Sequence, residues 1–179
     1  SLICVGTPSD ESGGLNLVYI RRVCEEIGAV LAKKGQYHVV AIRSTVLPGT
    51  LETVVKPILE QASGLKVGEQ IGLCSNPEFL REGSAVKDFF GPPYTLIGQS
   101  DERAGDTLSQ LYSPLQAPLV RTEIKTSEMV KYANNAYHAL KITFANEIGS
   151  FCKTAGVDSH RVMEIFKMDN KLNISGAYL

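Results

Sequence analysis

Five short apolar runs, "LICVG", "HVVAIR", "IGLCS", "YTLIG" and "APLVR", recur along residues 1–121 and most constrain what this chain can fold into. Runs this short, apolar without alternation and rich in β-branched residues, are strands buried on both faces. Helix-patterned sequence lies between them. Ile20, Val23, Cys24, Ile27, Val30 and Leu31 recur at three- and four-residue spacing, and Gly35 stands where a helix end favours a left-handed residue. A second helical segment, from about Thr50 to Gln61, carries Val54, Val55, Ile58 and Leu59, and Pro57 is expected to kink it. Asp101 is placed to cap a third, running to about Tyr112. Strands alternating with helices predict an α/β fold with a doubly wound parallel sheet.

After Thr122 the texture changes. From Thr126 or Ser127 as N-cap to Gly156 as stop, about thirty residues hold helical periodicity without a break, which is long for a globular helix. Asp158 then caps another helical stretch to about Lys167, with no strand between them. The organisation expected is therefore an α/β portion over 1–121 and the opening of a helical domain over 122–179. Ser1 leads at once into an apolar strand, and "NISGAYL" closes without a helix or polar tail, so the chain is expected to be an internal fragment.

Charge excludes some function classes. With 18 Lys+Arg against 19 Asp+Glu, nothing electrostatic favours nucleic acid or an anionic membrane as partner. No apolar run approaches the ~20 residues of a membrane span, and no secretory leader opens the chain, so a cytoplasmic protein is expected. Cys4, Cys24, Cys74 and Cys152 are far apart and read as buried thiols, while His38, His138 and His160 show no metal-ligand spacing.

In an open α/β sheet the ligand lies beyond the carboxyl ends of the strands, which puts Thr7, Thr45, Glu78 and Glu82 in position to meet it. Taken singly, each is equally a residue that satisfies loop amides or faces water. Their shared address on three consecutive strand ends favours a ligand. On the long helix Lys131, Asn135, His138, Ile142 and Asn146 advance by four, three, four and four residues and so form one stripe. Periodicity alone fits a solvated stripe as well as a lined cleft. Asn is a poor helix former, however, and a Lys, two Asn and a His suit a hydroxyl-rich or phosphate-bearing ligand.

The stretches "CVGTP", "RSTVLPGT", "NPEFLREGSAVKDF", "EMVKYANNAYHALKITFANEIG" and "KLNISGAYL" resemble, in order and spacing, the nucleotide-sugar 6-dehydrogenases of the UDP-glucose/GDP-mannose dehydrogenase family. The resemblance implies an NAD-dependent oxidation of a nucleotide sugar's C6 hydroxyl to a carboxylate, in two hydride transfers through a cysteine thioester. It makes 1–121 the C-terminal portion of an NAD-binding Rossmann-like domain and 122–179 the start of a central helical domain for substrate and dimerisation. NAD is the implied cofactor, and a homodimer through the long helix the implied assembly. By the same resemblance Thr7 contacts the cofactor, and Thr45 contacts the cofactor and helps hold the catalytic water. Glu78 does acid/base work and Glu82 touches the substrate. Lys131 and Asn135 bind the substrate and stabilise charge at its C6 oxygen, and His138, Asn146 and Tyr178 are substrate contacts. "DNKLN" leans toward GDP-mannose, while Gly176 and Ala177 stand where GDP-mannose enzymes carry Arg and Tyr. UDP-glucose and UDP-N-acetyl sugars are the alternative substrates, and a non-catalytic nucleotide-sugar-binding module the alternative function. Neither a GxGxxG nor a Gly-Gly-Ser-Cys occurs in the sequence, so the chain by itself is expected to be inactive.

Overall fold

The computed structural model describes residues 1–169; Tyr178 and the rest of "KLNISGAYL" lie outside the described residues. The elements in chain order are β1 (Leu2–Ile3), α1 (Val18–Lys34), β2 (His38–Ile42), a π-helical turn (Leu51–Val55), α2 (Lys56–Ser63), β3 (Ile71–Ser75), α3 (Ala85–Phe90), β4 (Thr95–Gln99), α4 (Glu102–Leu111), β5 (Leu119–Glu123), α5 (Ile124–Ala155) and α6 (Ser159–Phe166). All five apolar runs become strands of one sheet, ordered β1-β2-β3-β4-β5.

Burial on both faces explains those runs. Val40, Ile42, Ile71 and Leu73 pack against Ile20, Cys24 and Leu31 of α1 and Leu59 of α2. Their neighbours Val39, Ala41, Cys74 and Ile97 pack in a second cluster with Ala104 and Leu108 of α4 and with Tyr112. Successive residues of a strand point to opposite faces, so both layers need apolar cover.

The sheet is mostly parallel. β1, β2 and β3 run parallel, as do β4 and β5, but β4 pairs antiparallel with β3 through Cys74–Gln99 and Ser75–Gly98. A parallel partner needs a crossover long enough to cover a sheet face. Residues 76–94 instead make an excursion at the carboxyl end of β3, and their one helix, α3, buries none of its residues. The chain therefore re-enters the sheet at the end it left, which reverses the strand.

Pro57 sits where the regular helix is interrupted. A widened turn over Leu51–Val55, in which the Lys56 N–H reaches the Leu51 carbonyl, comes first, and Pro57 falls in the first turn of α2. Helical residues precede it without a break, so its missing N–H leaves an intrahelical bond unmade, and the widened turn just before it is where the ladder changes from i→i−5 to i→i−4.

The long helix starts at Ile124, directly after β5, rather than behind a cap at Thr126 or Ser127. Ser127 is fully buried, and its Oγ donates to Ser75 Oγ at 3.1 Å. Gly98 of β4 admits this close seating: a Cβ there would lie 2.6 Å from Ser127 Cβ and 2.8 Å from Ile124 Cα. The helix stops at Ala155, before Gly156 at φ +69°, and Asp158 caps α6 by accepting the His160 and Arg161 N–H groups.

Two compact units result, Ser1–Ala133 and Asn134–Leu179, with their boundary inside α5. The first holds the sheet, α1 to α4 and the opening turns of α5. The second holds the remainder of α5 and α6, whose Phe144 and Phe166 rings lie 5.4 Å apart. Among the described residues no helix is long and apolar enough to cross a membrane.

Candidate active site

The carboxyl end of β3 is held by Asn76, which is only 1% exposed. Its Oδ1 accepts from Arg43 Nη1 at 3.0 Å and from the Tyr112 hydroxyl, its Nδ2 donates to the Leu96 carbonyl at 2.9 Å, and its N–H donates to Ile42 O at 2.8 Å. Burial pushes the Tyr112 phenol above its ordinary pKa, which keeps it a donor. A buried amide with every group engaged, followed by Pro77 with its fixed φ, gives the chain one direction at Glu78.

Glu78 then meets Lys131. Lys131 Nζ lies 3.1 Å from Glu78 Oε1 and also donates to the Glu78 backbone carbonyl, while Glu78 Oε2 accepts from the Leu80 N–H at 2.6 Å. The ammonium is 5.3 Å from the centre of the Phe79 ring, a cation–π distance. The Lys131 side chain is 8% exposed and that of Glu78 33%. An ammonium has three N–H donors, and these two contacts leave one for a ligand. The pair thus offers a desolvated cation beside a carboxylate that still reaches water, suited to hold charge on an oxygen and to move its proton.

The ends of β1 and β2 are stitched together. Thr7 Oγ1 donates to the Thr45 carbonyl at 2.9 Å, and Ser44 Oγ donates to the Val5 carbonyl at 2.6 Å. Thr7 is therefore at least partly a loop fastener. The half-buried Thr45 hydroxyl makes no hydrogen bond to another described residue and is free to meet a ligand.

The other sequence-derived candidates are less gathered. Glu82 is exposed on a turn closed by Asp88, which accepts from the Arg81 N–H and guanidinium and from Ser84 Oγ. The Arg81 guanidinium, followed by the Ser84 hydroxyl, holds the Asp88 carboxyl far below the usual carboxylate range. Asn135, His138, Ile142 and Asn146 are exposed on the second unit's part of α5.

Sequence reasoning passed over Asn76 and Glu128. Glu128 is 2% exposed and lies three residues before Lys131, hence on the same side of α5; that helical phase was the one signal available. The thiols divide. Burial pushes Cys24 up to about 11 and Cys74 up to about 12, so neither is a thiolate at neutral pH. Cys4, expected buried, is exposed, because it follows the two paired residues of an edge strand.

Residues 1–116 match the NAD binding domain of the UDP-glucose/GDP-mannose dehydrogenase family, and residues 125–179 match that family's central domain. The chain belongs to this family. Among curated relatives, the GDP-mannose 6-dehydrogenase of Azotobacter vinelandii is 52% identical over 179 residues, which is 100% of this chain and 41% of the relative. A UDP-glucose 6-dehydrogenase of Haloferax volcanii is 40% identical over 177 residues, or 96% of this chain and 41% of the relative. The crystal structure of a ternary complex of GDP-mannose dehydrogenase from Pseudomonas aeruginosa superposes with a TM-score of 0.96 at 50% identity, covering 99% of this chain and 41% of that one. The chain thus spans about two-fifths of the length of the relatives it matches.

Proposed function

We propose that the protein carrying this chain is an NAD-dependent GDP-mannose 6-dehydrogenase, oxidising the sugar's C6 hydroxyl to a carboxylate in two hydride transfers through a cysteine thioester. One observation carries the reading: the pair of buried Lys131 and part-buried Glu78 stands at a strand's carboxyl end, in a chain about half identical throughout to GDP-mannose 6-dehydrogenases. The region 1–121 would serve the cofactor, and 122–179 would begin the substrate and dimerisation domain.

The residues present fit NAD. Thr45 offers an unengaged hydroxyl, Thr7 lies beside it, and Gly6 leaves open space where a Cβ would stand, so a ligand can approach the backbone. NAD, when bound, accepts hydride from C6. Thr7 and Thr45 would hold it, and Thr45 would also help hold the water that later releases the acid. Lys131, with its remaining N–H, would donate to the C6 oxygen as that oxygen gains charge, Asn135 adding a second donor. Glu78 would take the proton lost from the hydroxyl, directly or through water. Glu82, His138, Asn146 and Tyr178 would contact the sugar nucleotide.

The test is NADH formation by the full-length protein. Two NADH per GDP-mannose are expected, with kcat/KM for UDP-glucose about 10²-fold lower, since a site built around one set of polar groups rejects a substrate that leaves them unpaired. The reverse preference would favour a UDP-glucose enzyme, the reading that the Haloferax relative and the Gly176-Ala177 pair support. Binding without NADH would mean a non-catalytic module.

The assembly proposed is a homodimer through α5. Residues 133–147 of that helix are exposed on every side, and Leu140 (63%), Ile142 (50%) and Phe151 (70%) leave apolar surface uncovered. Light scattering is expected to return twice the chain mass at tens of micromolar, a concentration suited to weak interfaces. Leu140→Lys with Phe151→Glu is expected to return the monomer mass. A wild-type monomer would refute the assembly. Four free cysteines suit a reducing compartment, and the cytoplasm is the proposed location.

A further inference from the structure

Glu128 is a charged residue buried where a helix could have placed an apolar one. Its carboxylate accepts from the Gly49 N–H at 2.5 Å and from the Leu51 N–H at 2.9 Å. These amides open the helical segment that follows β2, where the first N–H groups have no intrahelical acceptor. The usual remedy is local, a Ser, Thr, Asp or Asn at the N-cap. Thr50 stands there, yet its hydroxyl donates to the Leu47 carbonyl at 2.6 Å instead. The cap comes from 77 residues away along the chain.

Burying a carboxylate is costly, and desolvation raises the Glu128 pKa while the two N–H bonds pull it down. A locally capped helix beside an apolar residue on α5 would serve stability at less cost. What the distant cap adds is geometry. The 45–51 segment carries Thr45, and α5 carries Lys131 three residues beyond Glu128. Ser127 bonds Ser75, Glu128 bonds Gly49 and Leu51, and Lys131 bonds Glu78. Within its first turns α5 is thus fastened to the loops that leave both β2 and β3.

We infer that Glu128 is a positioning residue, which fixes the cofactor-side loop bearing Thr45 to the substrate-side helix bearing Lys131. The inference rests on the reaction proposed above. NAD and sugar must meet with their reacting atoms in near-attack geometry, and a misplacement of about 1 Å is enough to cost ~10²-fold in rate. Glu128 touches neither, and acts through the two elements it joins.

The test is Glu128→Gln in the full-length enzyme beside wild type. The amide side chain keeps one acceptor but turns an NH2 toward the second N–H. Hydrogen exchange at Gly49 and Leu51 is expected to quicken by about tenfold or more, as the loss of a buried bond worth ~1.5 kcal/mol or more predicts. Amides of β3 should keep their wild-type rates. The variant is expected to lose at least about tenfold in kcat and to bind NAD several-fold more weakly, with sugar-nucleotide affinity within about twofold of wild type. Glu128→Asp, which keeps the charge one methylene short, should fall between the two in kcat. Fast exchange at 49 and 51 with wild-type kcat and NAD affinity would make Glu128 merely structural and overturn the inference. So would unchanged exchange, or failure of both variants to fold. If wild type reduces no NAD with any nucleotide sugar, the proposed reaction fails, and exchange together with NAD affinity decides the role of Glu128 alone.

Discussion

Replacing Lys131 by methionine in the full-length enzyme is expected to lower kcat by about 10²-fold or more while changing KM for the nucleotide sugar little, as removal of one oxyanion donor does. Methionine keeps most of the lysine's length and apolar stem, so the helix packing around position 131 survives. What is lost is the ammonium, with its bonds to the Glu78 carboxylate and carbonyl. Glu78 retains the Leu80 N–H and remains one-third exposed, so water can take up the vacated acceptor sites and the loss of stability stays modest. The oxygen at C6 fares differently. In the proposed reaction it is neutral in the bound alcohol, gains negative charge as the proton leaves and gives it up as the hydride departs, and a donor with low exposure interacts most strongly between those two events. Steady-state kinetics with GDP-mannose and NAD make the measurement. Near wild-type kcat with a raised KM would turn Lys131 into a uniform binding contact and refute its role at the reacting oxygen.

The pairing of Lys131 with Glu78 shows how much of the site was legible. Each residue is marked by local pattern, Glu78 by its place after a buried strand and Lys131 by its place on a polar helical stripe. Their meeting across 53 residues is tertiary and leaves no local trace. The same division runs through the fold. Strands covered on both faces and an amphipathic α1 write their burial into a few consecutive residues, so β1 to β5 and the long helix can be read. The reversal of β4 cannot, since it depends on which end of β3 the 76–94 excursion returns to. Nor can α3, whose Ala85–Phe90 buries no residue and so has no apolar face to announce it. Glu128 is the extreme case. A glutamate on a helix has the pattern of a solvated one; its phase with Lys131 places it on the same side of α5, but its partners Gly49 and Leu51 are seen only in the structure.

Asn76→Ala is expected to cost about 3 kcal/mol of stability, because two buried hydrogen bonds and one part-buried bond end at that one amide and each loss also strands a partner. Arg43 Nη1 and the Tyr112 hydroxyl lose their shared acceptor, and the Leu96 carbonyl loses its donor. Tyr112 and Leu96 are both buried, so water cannot easily replace what is removed. At this domain size such a loss lowers Tm by about 10 °C. Asn76→Asp separates the contributions. Its carboxylate still accepts from Arg43 and Tyr112, now with a charge-assisted bond to the guanidinium, but it places an oxygen against the Leu96 carbonyl where a donor stood. A smaller loss than for alanine is therefore expected. Catalysis should suffer in both variants beyond the fraction unfolded, since Asn76 sets the direction in which the chain enters Glu78, two residues on. Thermal and denaturant unfolding together with kcat at a temperature where both variants are folded supply the measurement. If alanine costs less than about 1 kcal/mol, the size of an ordinary exposed contact, some other group fixes the turn. If folded Asn76→Ala retains wild-type kcat, Glu78 is aimed by its own bonds to Leu80 and Lys131, and the amide beneath it serves stability alone.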